Sequence, residues 1–82
     1  MKKTFNINLG GIVFHIDEDA YELLDQYLSN LRIHFSKEEG AEEIVHDMEL
    51  RISELFSERL NERNQVITLS DVEEIIAQMG KP

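Results

Sequence analysis

The feature that most limits the fold is a glycine pair set between two alternating segments. Thr4-Phe5-Asn6-Ile7-Asn8-Leu9 alternates polar and apolar residues, Gly10-Gly11 follows, and Ile12-Val13-Phe14-His15-Ile16-Asp17 returns. A period of two marks a strand with one buried face. Two adjacent glycines accept positive φ at both central positions of a tight hairpin turn, because neither has a Cβ to clash. Pairing across that turn sets Leu9 opposite Ile12, Ile7 opposite Phe14 and Phe5 opposite Ile16. All six apolar side chains then share one face, with Asn6, Asn8 and His15 on the other. An isolated hairpin is marginal in water, so this face requires a cover.

The rest of the chain supplies helices. A first helix is predicted over Glu18–Phe35, with Asp17 as N-cap and Glu18, Asp19 and Glu22 suiting its positive end. Ala20, Leu23, Leu24, Tyr27, Leu28, Leu31 and Phe35 form its apolar stripe, and Ile33 falls roughly opposite. Ser36 with Glu39 reads as the capping box of a second helix reaching Leu60, with Gly40 in its first turn. Its stripe is Ala41, Ile44, Val45, Met48, Ile52, Leu55 and Phe56, while Leu50 points away. Arg59 and Arg63 lie in phase with that stripe near its end, placed to reach past the core edge or to pair with an acid. After a polar loop, Val66-Ile67-Thr68 is an extended stub, and whether it adds a short third strand is left open. Thr68 is the expected N-cap of a third helix, with Ile67 and Val72 as a hydrophobic staple and Ser70 with Glu73 as the competing cap. Val72, Ile75, Ile76 and Met79 form the third stripe, and Gly80 and Pro82 stop it. The expected fold is α+β, an N-terminal two-stranded β-hairpin packed on three α-helices. Its expected core contains Phe5, Ile7, Leu9, Phe14, Leu24, Leu28, Leu31, Met48, Ile52, Leu55, Ile75 and Ile76.

Eighty-two residues make a single small domain spanning 1–82, and 41% apolar content suffices for one core. The end at Gly80-Lys81-Pro82, a helix stop and the start of another segment, reads as the cut edge of a longer protein's N-terminal fragment. No cysteine is present, which removes disulfides and thiolate metal sites. With 17 acids against 8 bases the net charge is −9, so phosphate backbones and anionic lipid headgroups repel the chain. No run approaches the ~18 apolar residues of a spanning helix. Lys2-Lys3 ahead of an apolar region resembles a signal peptide, but Asn6, Asn8, Gly10-Gly11 and His15 interrupt it and no cleavage site follows. The reading is therefore cytoplasmic.

Candidate chemistry is sparse. Glu43, His46 and Glu49 follow an i, i+3, i+6 spacing, but a Glu-x-x-His pair is one quarter of a di-iron site and the other quarters are missing. His15 faces Asn6 across the hairpin with no nucleophile beside it, and His34 suits the negative end of the first helix. No catalytic, cofactor-binding or metal residues are assigned, and no cofactor is expected. A helix-turn-helix built from the last two helices would present Asp71, Glu73 and Glu74 to DNA, with Gln78 as its one plausible base reader. Val13, Ile33 and Leu50 are aliphatic where their elements should face water. They are the candidate interaction surface, on the condition that they converge.

Several strings carry a family resemblance. Lys3-Thr4-Phe5-Asn6-Ile7-Asn8-Leu9-Gly10-Gly11, Phe14-His15-Ile16-Asp17-Glu18-Asp19-Ala20-Tyr21, Leu28-Ser29-Asn30-Leu31-Arg32, Ile52-Ser53-Glu54-Leu55-Phe56 and Val72-Glu73-Glu74-Ile75-Ile76-Ala77-Gln78-Met79-Gly80-Lys81-Pro82 run in order along the chain. Together they resemble the N-terminal region of phage-shock-protein-C-domain (PspC) proteins of Bacteroidetes-type bacteria. The resemblance implies a longer protein in which a PspC domain with membrane segments follows, described as a stress-responsive transcriptional regulator. It implies a fragment on the cytoplasmic side of the inner membrane, joined to the membrane only through that following segment. It supplies no catalytic residues, so a non-enzymatic module is expected. Its function would be contact with a protein partner or self-association, including a homodimer. The alternatives are a DNA-binding regulator domain, which the acidic surface opposes, and a small metal-dependent enzyme built on His46 with Glu43 and Glu49.

Overall fold

The glycine pair sets the first element. In the computed structural model, which describes residues 3–80, Gly10 and Gly11 take φ of +60° and +86°. Positive φ at both central residues is the geometry whose twist matches that of paired strands. The Gly11 N–H donates to Asn8 Oδ1 at 3.2 Å. Strands β1 (Thr4–Leu9) and β2 (Ile12–Asp17) pair antiparallel with Leu9 opposite Ile12, Ile7 opposite Phe14 and Phe5 opposite Ile16, the register the sequence implies. Three helices follow, α1 (Glu18–Phe35), α2 (Ala41–Arg59) and α3 (Leu69–Met79), giving an α+β fold.

The extended stub joins the sheet at one residue. Ile67 forms a parallel bridge with Ile16. Its N–H donates to His15 O at 2.9 Å and its carbonyl accepts from Asp17 N–H at 3.0 Å. Thr68 then caps α3 in a reciprocal box. The Asp71 N–H donates to Thr68 Oγ1 at 3.3 Å, and the Thr68 N–H donates to Asp71 Oδ2 at 3.0 Å. Ile67 and Val72 flank this cap and are both fully buried, as a hydrophobic staple requires. The competing cap at Ser70 is not used.

One cluster holds these pieces together. Leu9, Phe14 and Ile16 of the hairpin meet Leu24, Leu28 and Leu31 of α1, Ile52 and Phe56 of α2, and Ile67 and Ile75. At its centre the Phe14 and Phe56 rings meet edge to face, 5.4 Å between centroids. That geometry suits the ring quadrupoles. Tyr27 lies in the same cluster and donates its hydroxyl to Gly80 O at 2.6 Å, fastening the end of α3 to the middle of α1.

Three expectations are corrected. Phe5 is not core: it is 41% exposed and rests on Tyr21 at the rim, because it stands at the outer end of an edge strand. Ile7, Met48 and Leu55 are half-buried around the cluster rather than inside it. Ser36 does not open α2. It closes α1, its N–H and hydroxyl both donating to Ile33 O. The chain then turns through residues 36–40, with Gly40 at φ +77° ahead of Ala41. Gly40 thus supplies the left-handed residue that redirects the chain, and lies ahead of α2 rather than in its first turn. The expectation for Pro82 lies outside the described residues. Among the described residues no helix is long and apolar enough to cross a membrane.

Candidate functional site

The three outward aliphatics differ in exposure and surroundings. Val13 is 62% exposed on β2, opposite Asn8. Ile33 is 72% exposed near the end of α1, while its neighbour Leu31 is buried. Leu50 is 36% exposed on α2, outward as its phase implies, and it also touches the hairpin turn. A Cβ placed on Gly10 would stand 2.8 Å from Leu50 Cδ2 and 3.0 Å from Ser53 Oγ. Leu50 therefore packs over the hairpin turn and helps seat it on α2. Gly10 has a second reason to be glycine, since the turn meets the helix there. Val13 and Ile33 stay open to solvent on separate elements, β2 and α1.

The polar residues mostly pair with one another. Glu49 accepts a hydrogen bond from Arg32 at 3.0 Å, joining α2 to α1. Arg59 pairs with Glu74 and lies 3.8 Å from Asp71, joining α2 to α3, so it takes the acid-pairing role open to it in the sequence. The Glu74 hydrogen bond holds the Arg59 guanidinium above its usual range. His46 lines an open groove of about 520 Å³ with Arg32, Glu42 and Val45 between the ends of α1 and α2. Among the described residues no three His, Asp or Glu side chains are grouped so as to hold a metal ion. His34 sits edge-on to Phe35, 4.8 Å between centroids, and is exposed.

The α2–α3 pair does not form a helix-turn-helix. Residues 60–68 separate the helices, longer than the 3–4-residue turn of that motif. Within this connection Asn61 Oδ1 accepts from the N–H groups of Arg63 and Asn64 at 2.8 and 3.0 Å. The exposed side of α3 carries Glu73, Glu74 and Gln78, a surface that phosphates repel.

One surface escaped the sequence reading. Beside β1 runs a second groove of about 260 Å³, between Ile7 and Leu9 on the strand and Leu24 and Leu28 on α1. Its rim includes Asp25 and the Arg32–Glu49 pair. Alternation in β1 marked which side chains face inward. It could not show that β1 lies at the edge of the sheet, because that depends on Ile67 joining β2 from far along the chain. No family model, curated protein or solved structure matches this chain.

Proposed function

We propose that this domain is a protein-contact module, the cytoplasmic part of a membrane-anchored envelope-stress protein of the phage-shock type. The observation that carries the contact role is Ile33, an aliphatic left 72% exposed on a strongly acidic domain, twice as open as Leu50 or Tyr21 at 36% each. Val13 offers a second such side chain at 62%. Covering a side chain of this size stabilises a complex by up to about 1.5–3 kcal/mol. The acidic helix faces favour a partner with basic residues around an apolar centre. The membrane anchor and the stress response rest on the resemblance of the ordered strings from Lys3–Gly11 through Val72–Pro82 to PspC-domain proteins.

Photocrosslinking from Ile33 and Val13 in the full-length protein tests the reading. The expected result is a crosslinked protein partner from at least one position. Replacement by Asp at that position weakens the complex about tenfold or more. If neither position crosslinks and Ile33→Asp and Val13→Asp leave every complex intact, the contact role fails. Recovery of the full-length protein away from membranes removes the anchored part of the proposal.

A further inference from the structure

The bridge at Ile67 fixes which way the strands face. His15 and Asp17 turn their main-chain groups to Ile67, so both point away from β1. In an antiparallel ladder, two residues opposite each other direct their N–H and C=O groups either both toward or both away from one another. His15 is opposite Asn6 and Asp17 is opposite Thr4. Thr4 and Asn6 therefore point their main-chain groups outward from β1, and the period of two adds Asn8. Among the described residues β1 has β2 as its one strand neighbour. Natural edge strands are usually guarded by charge, proline or a bulge. Thr4–Leu9 contains no charged residue and no proline, and its register is continuous.

We propose that this edge pairs antiparallel with the β1 edge of a second copy of the chain, making one continuous sheet across a two-fold axis at Asn6. The proposal rests on the contact-module reading and assigns the contact to a surface other than Val13 and Ile33. Asn6 lies opposite the second copy's Asn6, and Thr4 opposite its Asn8. The odd-numbered residues of β1 face α1, since Leu9 is buried and Phe5 rests on Tyr21. The second copy's Phe5 then lies beside Ile7, over the apolar groove floored by Leu24 and Leu28. Its Lys3, next in the alternation, comes beside Leu9, toward the rim where Asp25 stands and where Glu49 already pairs with Arg32. The groove takes an aromatic residue and then a cation two residues upstream, and β1 carries that order itself. The net charge of −9 opposes association, but it is spread over the surface and screened beyond ~8 Å at physiological salt. The edge itself is neutral.

Sedimentation of the whole chain from micromolar to millimolar concentration tests this. The expected mass rises to twice that of the monomer, and Asn6→Pro, which removes the central outward N–H, returns it to the monomer. Amide hydrogen exchange in the unaltered chain gives a readout independent of that variant. Thr4, Asn6 and Asn8 should exchange fast when dilute and slowly when concentrated. A monomer throughout, or outer amides that stay fast in the dimer, overturns the proposal. A dimer that survives Asn6→Pro but dissociates with Ile33→Asp also overturns it, while leaving the contact module standing. A monomer that still crosslinks another protein from Ile33 has the same meaning.

Discussion

Ile67 shows how much of this fold hangs on one side chain. It is fully buried, bridges the sheet through its backbone and staples the start of α3. Ile67→Ala should cost about 2–5 kcal/mol through the cavity it leaves, a large part of the ~5–15 kcal/mol that holds a domain together. Gln65→Ala, at an exposed position in the same connection, should change stability by less than ~0.5 kcal/mol. Urea midpoints of the two variants check this directly. Tyr27 makes a pH prediction. Burial disfavours its phenolate and pushes the hydroxyl above its ordinary value. A group raised on folding contributes its full stability below its unfolded pKa, near ~10, and loses it as pH rises through the folded value. Stability should therefore fall above about pH 10, and fall less in Tyr27→Phe, as urea midpoints across alkaline pH would show. A parallel decline in both proteins would contradict the assignment to Tyr27.

Among the elements, the hairpin was the most legible, because its signal is local. Gly10-Gly11 dictated the turn and the alternation dictated the register, and every apolar pair appears as the sequence implies. Thr68 was legible for the same reason, with its cap and staple within four residues. The α1–α2 connection was misread at Ser36. A serine hydroxyl can accept at a helix start or donate at a helix end, and only Gly40 at φ +77° decides between them. Leu50 is exposed as its phase implied, but a helical wheel could not show the strand turn packed against it. The two turn glycines now make a contrast. Both sit at positive φ, which costs a non-glycine residue about 1–2 kcal/mol. A Cβ at Gly10 would also press on Leu50 and Ser53, whereas one at Gly11 meets nothing within 4 Å. Gly10→Ala should therefore lower stability more than Gly11→Ala, and adding Leu50→Ala should cost less in the Gly10→Ala background than alone. Denaturant titration of the four proteins measures that coupling. Equal losses at the two glycines would remove the packing role assigned to Leu50.

At the scale of the molecule, one cluster joins two strands, a bridging residue and three helices. The outer edge of β1, Val13 and Ile33 lie outside that cluster. That division explains the fate of Phe5: the alternation identified its face, but not its place on an edge strand where cover runs out. It also explains why the candidate site was only partly legible. Val13 and Ile33 could be found by their phase, whereas the edge beside Thr4, Asn6 and Asn8 exists only once Ile67 has taken the other side of the sheet. The most direct measurement is residue-resolved native-state hydrogen exchange on the diluted chain across a denaturant series. If one core holds everything, the amides of Phe14, Ile16, Leu28, Ile52 and Ile67 open with a common free energy and the same denaturant slope. A hairpin that opens on its own, with lower free energy and a shallower slope than Leu28 and Ile52, would contradict the account.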